Sequence, residues 1–337
     1  MTLTDNKAIA VLGAGSWGTA LAVLLARNGQ QVLLWGNEAD HMQRLSEERR
    51  NQEFLPGITF PDSLQALADL QQALSLADDV LLVVPSHAFR SVVERISDVP
   101  SAQRRLVWAT KGLDAGTGKL LHEVACEVLG DELPYAVLSG PTFALEVAEG
   151  LPTAVTLASP HNNYLQDLVK RFYSKNFRVY TSDDVIGVEV GGAVKNVLAI
   201  ATGMADGLGF GANTRAALVT RGLAEMMRLG VALGGQSETF MGLAGLGDLV
   251  LTCTDSQSRN RRLGLALAKG ETAQQFQQSV GQIVEGVMTA QEVMAVAEKM
   301  AIEMPITSQV YRVLHQGLPV REAAQALLQR AQKAENI

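Results

Sequence analysis

The sequence predicts an α/β fold, in which an N-terminal Rossmann-type doubly wound sheet is followed by an all-helical C-terminal domain. In the first half of the chain, short apolar runs alternate with helical patterns, as they do in βαβ units around a parallel sheet. After about residue 182 these runs almost disappear and helical patterns dominate. The predicted domains are therefore residues 1–181 and 182–337.

The strands are predicted from continuous apolar runs, because strands covered on both faces need no polar alternation. Their predicted ranges are 8–12, 31–35, 80–84, 106–109 and 135–138, with 154–158 and 177–180 as candidate extensions of the sheet. A first helix over 19–28 should end at Gly29. The helices of the second domain are predicted over 183–204, 213–229, 259–268, 285–299 and 305–314.

Length and composition limit the class of protein. A chain of 337 residues with 47% hydrophobic content suits two soluble globular domains. The net charge of -7 disfavours nonspecific nucleic-acid binding, although local Arg and Lys clusters can still bind an anionic substrate.

Cysteine usage and apolar patterning predict a cytoplasmic protein without a membrane span. Cys126 and Cys253 are far apart and form no zinc motif, so we expect reduced thiols and no metal site. Residues 1–7 do not resemble a signal peptide. The most apolar region, 185–204, contains Lys195, whose charge would be costly at a bilayer centre. A buried helix is the better interpretation of that region.

The motif GAGSWG at residues 13–18 directly follows the first predicted strand and opens a helix. In that context Gly13 permits a tight turn, Gly15 lets the backbone approach a pyrophosphate, and Gly18 allows close packing of helix and strand. The helix N-terminus offers free N–H groups to an anion. A tight turn without a ligand is the alternative, but the context favours a nicotinamide dinucleotide and therefore a dehydrogenase.

The end of the second strand bears on the choice between NAD and NADP. An acidic residue there would accept from the ribose 2′-hydroxyl, whereas a neutral or basic residue tolerates a 2′-phosphate. This strand is followed by the neutral Asn37, with Glu38 next. Either cofactor is conceivable, and we expect NADP to be accepted.

Ligands of open α/β sheets bind beyond the carboxyl ends of the strands, where this sequence places further polar residues. Lys111 follows the fourth strand and could hold an anionic substrate, or it could be a solvated surface lysine. His87 could donate a proton, but a helix-cap or ribose contact fits equally well. Gly140 and Thr142 follow the fifth strand.

Lys195 is the strongest catalytic candidate. It lies on an apolar helix and shares a face with Gly191, which we expect to leave space for a small ligand beside the ammonium. Burial would lower the pKa of Lys195 and suit it to general acid–base chemistry. The alternative is a structural ion pair with a buried carboxylate.

A third group of residues follows in the second domain. Asp248 ends a glycine-rich loop and could orient or balance Lys195. Ser258, Arg259 and Asn260 begin a helical run, where amides, a hydroxyl and a guanidinium could bind a phosphate. An exposed basic turn is the alternative for this run.

Together these motifs resemble bacterial NAD(P)-dependent glycerol-3-phosphate dehydrogenases. The motifs that carry the resemblance are GAGSWGTA at 13–20, ATKG at 109–112, SGPTFA at 139–144, GGAVKN at 191–196, AGLGDL at 244–249, SQSRN at 256–260 and VEG at 284–286. The resemblance implies reversible reduction of dihydroxyacetone phosphate to sn-glycerol 3-phosphate, a phospholipid precursor. It also implies a homodimer built on the helical domain.

The resemblance further implies roles for individual residues. Lys195 would donate and accept the proton. The substrate would contact Lys111, Gly140, Thr142, Asp248, Ser258, Arg259 and Asn260. The cofactor would contact Ser16, Trp17, Lys111, Ala144, Arg259, Ile283 and Glu285. The family often has a basic residue or His at the position of Asn37, so cofactor preference stays open.

Two other functions share some of these features. A β-hydroxyacid dehydrogenase has a similar domain plan and a helix lysine, but its substrates carry a carboxylate. A non-catalytic dinucleotide sensor would bind cofactor without turnover, and would have little need for Lys195.

Overall fold

The computed structural model describes residues 8–330, which form two compact units. The first unit extends to Thr110 and resumes from His122 to Val185. The second unit contains Lys111–Leu121 and the residues from Ile186 onward. The segment Lys111–Leu121 lies inside the first domain predicted from the sequence, yet it belongs to the second unit. The expectation about a signal peptide falls on residues 1–7, outside the described residues.

The first unit is built on an eight-stranded sheet, which confirms the predicted Rossmann-type fold class. The strands of this unit are β1 Ala8–Leu12, β2 Val32–Trp35, β3 Arg50–Asn51, β4 Leu55–Thr59, β5 Leu64–Leu67, β6 Ala77–Leu82, β7 Arg105–Trp108, β8 Tyr135–Ser139, β9 Thr153–Ala158 and β10 Phe177–Ser182. The sheet order is β10-β9-β8-β7-β6-β1-β2-β5, and β3 pairs with β4 separately. Apart from Ala8 at the start of β1, the apolar residues of β1 and β6 are buried, as predicted for central strands.

The expectation of a wholly parallel sheet is wrong at one place, because β8 and β9 pair antiparallel. Their connection contains only the six-residue helix Ala144–Glu149, which rises about 9 Å. That is too short to carry the chain back along the sheet, and a parallel pair needs such a crossover. The other strand pairs of the sheet are parallel.

Helices complete the first unit around the sheet. They are α1 Ser16–Arg27, α2 Ala39–Glu48, α3 Leu70–Leu76, α4 Ser86–Ser97, α5 Leu121–Leu129, α6 Ala144–Glu149 and α7 Asn162–Phe172. Helix α1 is buried along most of its length, because small residues let it pack closely.

The second unit is helical, as predicted. Its helices are α8 Val185–Gly207, α9 Ala212–Ala232, α10 Ser237–Phe240, α11 Asp248–Thr254, α12 Arg259–Ala268, α13 Ala273–Val280, α14 Glu285–Lys299, α15 Pro305–Gln316 and α16 Val320–Leu328, with a π-helical turn at Leu243–Gly247. Among the described residues, α8 alone has the length and apolarity of a membrane span. However, 94% of its most apolar window is buried inside the protein, which is typical of a core helix.

A buried carboxylate joins two helices of this unit. Glu225 of α9 accepts hydrogen bonds from the backbone N–H groups of Ile306 (2.6 Å) and Thr307 (3.1 Å), and from the Thr307 hydroxyl (3.1 Å). Helix α15 has no cap from its own N-cap side chain, so Glu225 fills that role from another helix.

We predict that Glu225→Ala destabilises the protein by about 3 kcal/mol, because it leaves buried N–H groups at the start of α15 unpaired. Urea unfolding followed by circular dichroism measures the change. Glu322→Ala, on an exposed face of α16, is the control and should change the free energy of unfolding little. Equal stability of the two variants would contradict the capping role.

Candidate functional site

Two glycines of the loop after β1 could not be replaced by a residue with a Cβ. Gly13 has φ = 123°, and a Cβ built there would lie 2.4 Å from the Val83 carbonyl oxygen. A Cβ on Gly18 would lie 1.8 Å from the Gly13 carbonyl oxygen. A Cβ on Gly15 would meet nothing within 4 Å. Gly13 and Gly18 are therefore required by packing, whereas the space beside Gly15 is open to a ligand.

The start of α1 fits the pyrophosphate of a dinucleotide. Its N-cap, Gly15, supplies no capping side chain, and the first turn contains no acidic residue. The first amides, from Ser16 onward, therefore keep their capacity to bind an anion. The indole N–H of Trp17 is buried and has no hydrogen-bond partner among the described residues. Such an orphan donor beside the loop is consistent with a ligand that supplies an acceptor.

Two residues that sequence reasoning missed brace this loop. The Asn51 side-chain amide donates to the Ala14 carbonyl (2.8 Å) and to the Thr19 hydroxyl (2.8 Å). His41 Nε2 lies 3.3 Å from Asn51 Oδ1 and donates to it. Both residues come from the segment after β2, where no local pattern indicates a contact with a loop more than twenty residues earlier.

The remaining candidates of the first unit lie at or near strand ends. Asn37 is exposed just beyond β2, and His87 is exposed in the first turn of α4. Gly140 has φ = 149° and packs against β9, where a Cβ would lie 3.0 Å from Val155 Cα. The Thr142 hydroxyl donates to the Gly140 carbonyl (3.3 Å), and Ala144 is the first residue of α6.

In the second unit, two lysines meet at one buried carboxylate. Asp248 is fully buried at the start of α11. Lys195 Nζ donates to Asp248 Oδ1 and to the Thr252 hydroxyl (3.0 Å), and Lys111 Nζ donates to Asp248 Oδ2 (2.6 Å). The Lys195 and Lys111 side chains are 8% and 15% exposed. Lys111 is therefore not a solvated surface lysine.

A glycine on α8 explains how Asp248 reaches Lys195. A Cβ on Gly191, one turn before Lys195, would lie 2.5 Å from the Ala244 carbonyl oxygen of the π-helical turn. The turn thus packs directly on α8, and Asp248 follows it in the chain. The expectation that Gly191 leaves open space for a ligand is wrong, because the backbone of this turn fills that space.

Burial sets the proton affinity of Lys195. Desolvation lowers the pKa of Lys195 from 10.5 to about 7; Asp248 opposes this shift, and Lys111 adds to it. An ammonium has three donors, and Lys195 uses two of them within the described residues. The third proton can be donated to a ligand oxygen at neutral pH, which is the property of a general acid.

The residues predicted to bind phosphate lie at the start of α12. The Arg259 guanidinium donates to Gln282 Oε1 (2.8 Å) and the Ile283 carbonyl (3.2 Å), both through Nη1. Its Nε and Nη2 groups make no hydrogen bond to a described residue. Burial lowers the pKa of Arg259, and Glu285 opposes that shift. Arg259 therefore retains donors for an anion, and it is not part of a solvated basic turn.

Its neighbours have structural partners. The Ser258 hydroxyl accepts from the Arg261 N–H (3.2 Å) and caps α12. The Asn260 amide donates to Asn196 Oδ1 (2.9 Å), and its oxygen accepts from the Gly286 N–H (3.0 Å). Asn260 thus links α8 to the start of α14, and these contacts explain why both residues are buried.

The chain matches two family models over most of its length. Residues 8–165 match the N-terminus of NAD-dependent glycerol-3-phosphate dehydrogenase. Residues 184–325 match the C-terminus of the same family.

Similar proteins match nearly the whole length of the chain. A protein of Vibrio cholerae named glycerol-3-phosphate dehydrogenase [NAD(P)+] is 57% identical over 96% of this chain and 95% of its own length. A protein of the same name from Photobacterium profundum is 56% identical over 99% of this chain and 100% of its own length. The crystal structure of glycerol-3-phosphate dehydrogenase from Coxiella burnetii is 53% identical, with a TM-score of 0.94 over 96% of this chain and 99% of that one.

We predict that Gly15→Ala weakens NADPH binding about tenfold, because its methyl group enters the space beside the first amides of α1. Binding is measured by titration of protein fluorescence. Gly211→Ala is the matched control, since Gly211 is the N-cap of α9 and also faces open space. The two variants should unfold at similar urea concentrations, and equal NADPH affinity would contradict the role of Gly15.

Proposed function

This chain belongs to the NAD-dependent glycerol-3-phosphate dehydrogenase family, and we propose that it reversibly reduces dihydroxyacetone phosphate to sn-glycerol 3-phosphate with Lys195 as general acid and base. The single observation that carries the role of Lys195 is its buried ammonium, which is fixed by Asp248 and Thr252 and keeps one donor unused. The similar proteins named above support the substrate.

When bound, a reduced nicotinamide would supply the hydride for the substrate carbonyl carbon. Lys195 gives its proton to the carbonyl oxygen as that oxygen becomes an alkoxide, and in the reverse direction it takes the proton from the alcohol. Asp248 balances one of the two lysine charges, so Lys195 and Lys111 together leave a net positive site. A fixed positive field of this kind stabilises the developing alkoxide.

The substrate contacts are proposed residue by residue. Arg259, with its unused donors, binds the phosphate, and that remote binding energy positions the carbonyl for reaction. The other substrate contacts are proposed at Lys111, Gly140, Thr142, Asp248, Ser258 and Asn260.

The cofactor is NADP or NAD, held by the loop with Gly13, Gly15 and Gly18. Its further contacts are proposed at Ser16, Trp17, Lys111, Ala144, Arg259, Ile283 and Glu285. Asn37, neutral and exposed, accommodates the 2′-phosphate of NADP as well as the 2′-hydroxyl of NAD.

We also propose a cytoplasmic homodimer that supplies phospholipid synthesis. An apolar groove of about 520 Å³ in the second unit, bordered by α9, α15 and α16, supports a contact between copies. Leu328, which is 72% exposed, lies along this groove.

We predict that the purified protein oxidises NADPH or NADH in the presence of dihydroxyacetone phosphate, and that Lys195→Ala lowers kcat about a thousandfold. Absorbance of the reduced cofactor measures both rates. Lys299→Ala, at the exposed end of α14, is the control. Turnover of keto acids but not of dihydroxyacetone phosphate would contradict the substrate, and a near-normal Lys195→Ala rate would contradict the mechanism.

We predict opposite pH profiles for the two directions of the reaction. Ketone reduction needs the protonated form of Lys195, so its kcat/KM should fall as the pH rises through about 7. Alcohol oxidation needs the neutral form, so its kcat/KM should fall as the pH drops through the same value. Initial rates between pH 5.5 and pH 9 (roughly one and a half to two pH units on each side of this pKa) test this. Profiles with the same sign in both directions would exclude Lys195 as the titrating group.

A further inference from the structure

Helix α12 packs backbone to backbone on α8, the helix that carries Lys195. A Cβ on Gly203 of α8 would overlap the Arg261 carbonyl oxygen. A Cβ on Gly264 of α12 would overlap the Ile200 carbonyl oxygen. These glycines let the two helices approach more closely than side chains would allow. The helix of the proposed proton donor and the helix of the proposed phosphate anchor are therefore in direct contact.

Two neighbouring side chains of α12 reach along α8 in opposite directions. Asn260 donates through Nδ2 to Asn196 Oδ1 (2.9 Å), and Arg261 donates through Nη2 to Asp206 Oδ2 (2.6 Å). Asn196 and Asp206 both lie on α8. Their separation in the sequence corresponds to about 15 Å along the helix axis. Two contacts so far apart oppose both sliding and rotation of the start of α12 on α8.

The contact between Arg261 and Asp206 is a buried ion pair, with side chains that are 12% and 8% exposed. Asp206 also accepts hydrogen bonds from Arg215 of α9, through Nε (3.1 Å) and Nη2 (2.9 Å). The Arg261 Nε is buried and has no hydrogen-bond partner among the described residues. Burial of both charges and of this unpaired donor offsets much of the stabilisation that the ion pair provides. The placement of α12 explains the pair better than net stability does.

We propose that Asp206 and Arg261 are positioning residues, which hold the start of α12 on α8 so that Arg259 meets the substrate phosphate. Arg259 is two residues before Arg261, so a shift of this turn moves its guanidinium. Lys195 serves the other end of the substrate from α8. The substrate carbonyl and phosphate are joined by a short covalent chain, so both are held for reaction at only one placement of α12 on α8. The inference rests on the proposed function for the role of Arg259 as phosphate anchor.

The experiment compares two full-length variants, each of which removes one arginine partner of the same carboxylate. Arg261→Met breaks the ion pair between α12 and α8, while Asp206 keeps Arg215 as its partner. Arg215→Met is the matched control, because it breaks the ion pair with α9 and leaves Arg261 in place. Initial rates give KM and kcat for dihydroxyacetone phosphate. Titration calorimetry at saturating NADPH gives the dissociation constant of inorganic phosphate.

We expect Arg261→Met to raise KM and the dissociation constant of phosphate, each about tenfold, with a smaller change in kcat. Arg215→Met should leave both constants near the wild-type values. A mere loss of folded protein would lower the apparent kcat and leave both constants unchanged. If Arg261→Met fails to fold, Asp206→Asn takes its place with the same expected result, because it keeps the side-chain size and an acceptor for both arginines.

Wild-type phosphate affinity in Arg261→Met would overturn the inference, and so would an equal loss of affinity in Arg215→Met. Arg259→Ala separates this failure from that of the proposed function. If Arg259→Ala weakens phosphate binding and Arg261→Met does not, the anchor stands and the positioning role is wrong. If Arg259→Ala leaves phosphate binding unchanged, the proposed anchor is wrong and the inference falls with it. If phosphate affinity changes as expected but dihydroxyacetone phosphate is not reduced, the proposed reaction fails and the positioning role stands.

Discussion

The second unit is organised around one buried carboxylate that two lysines share. Asp248 is fully buried, and a charge in that position is tolerated only because Lys195 and Lys111 pair with it. The two ammonium groups in turn stay close together only because the carboxylate lies between them. Removing Asp248 would leave two buried ammonium groups without a counter-charge, and removing either lysine would take from Asp248 one of its two ammonium partners. The three groups therefore constrain each other and the elements that carry them.

Glycines supply the close contacts that this arrangement needs. On α8, Gly191 admits the backbone of the π-helical turn, and this contact brings Asp248 to the lysine one turn along. In the first unit, Gly13 and Gly18 pack backbone on backbone in the same way, and the loop they form leaves the amides of α1 exposed to a ligand. In both units, therefore, glycines without a side chain allow the close backbone contacts that position Asp248 and the first amides of α1.

Much of this was predictable from sequence, and the exceptions have physical reasons. The apolar runs of β1 and β6 identified central strands, and the bounds of α12 and α14 agreed with their helical patterns, because strong local periodicity coincides with burial there. The antiparallel β9 was not foreseen, since strand direction depends on the length of a connection and leaves no mark in the strand itself. The bracing of the glycine loop by Asn51 was missed for a similar reason, because side-chain contacts between distant segments have no periodic signal. The prediction of open space beside Gly191 was wrong because a small residue indicates only that another group comes close to the helix. The sequence pattern does not distinguish a ligand from another part of the backbone.

The segment that carries Lys111 has a consequence for how the chain can be divided. Lys111–Leu121 comes from the middle of the nucleotide-binding sequence but belongs to the helical unit. A fragment beginning at residue 182 would contain Asp248 and Lys195 but not Lys111. Its carboxylate would then pair with one lysine, whereas in the whole chain it pairs with two. The two units are therefore not interchangeable modules. If related enzymes exchanged their N-terminal halves, the exchange would also replace Lys111, a charged residue of the second unit.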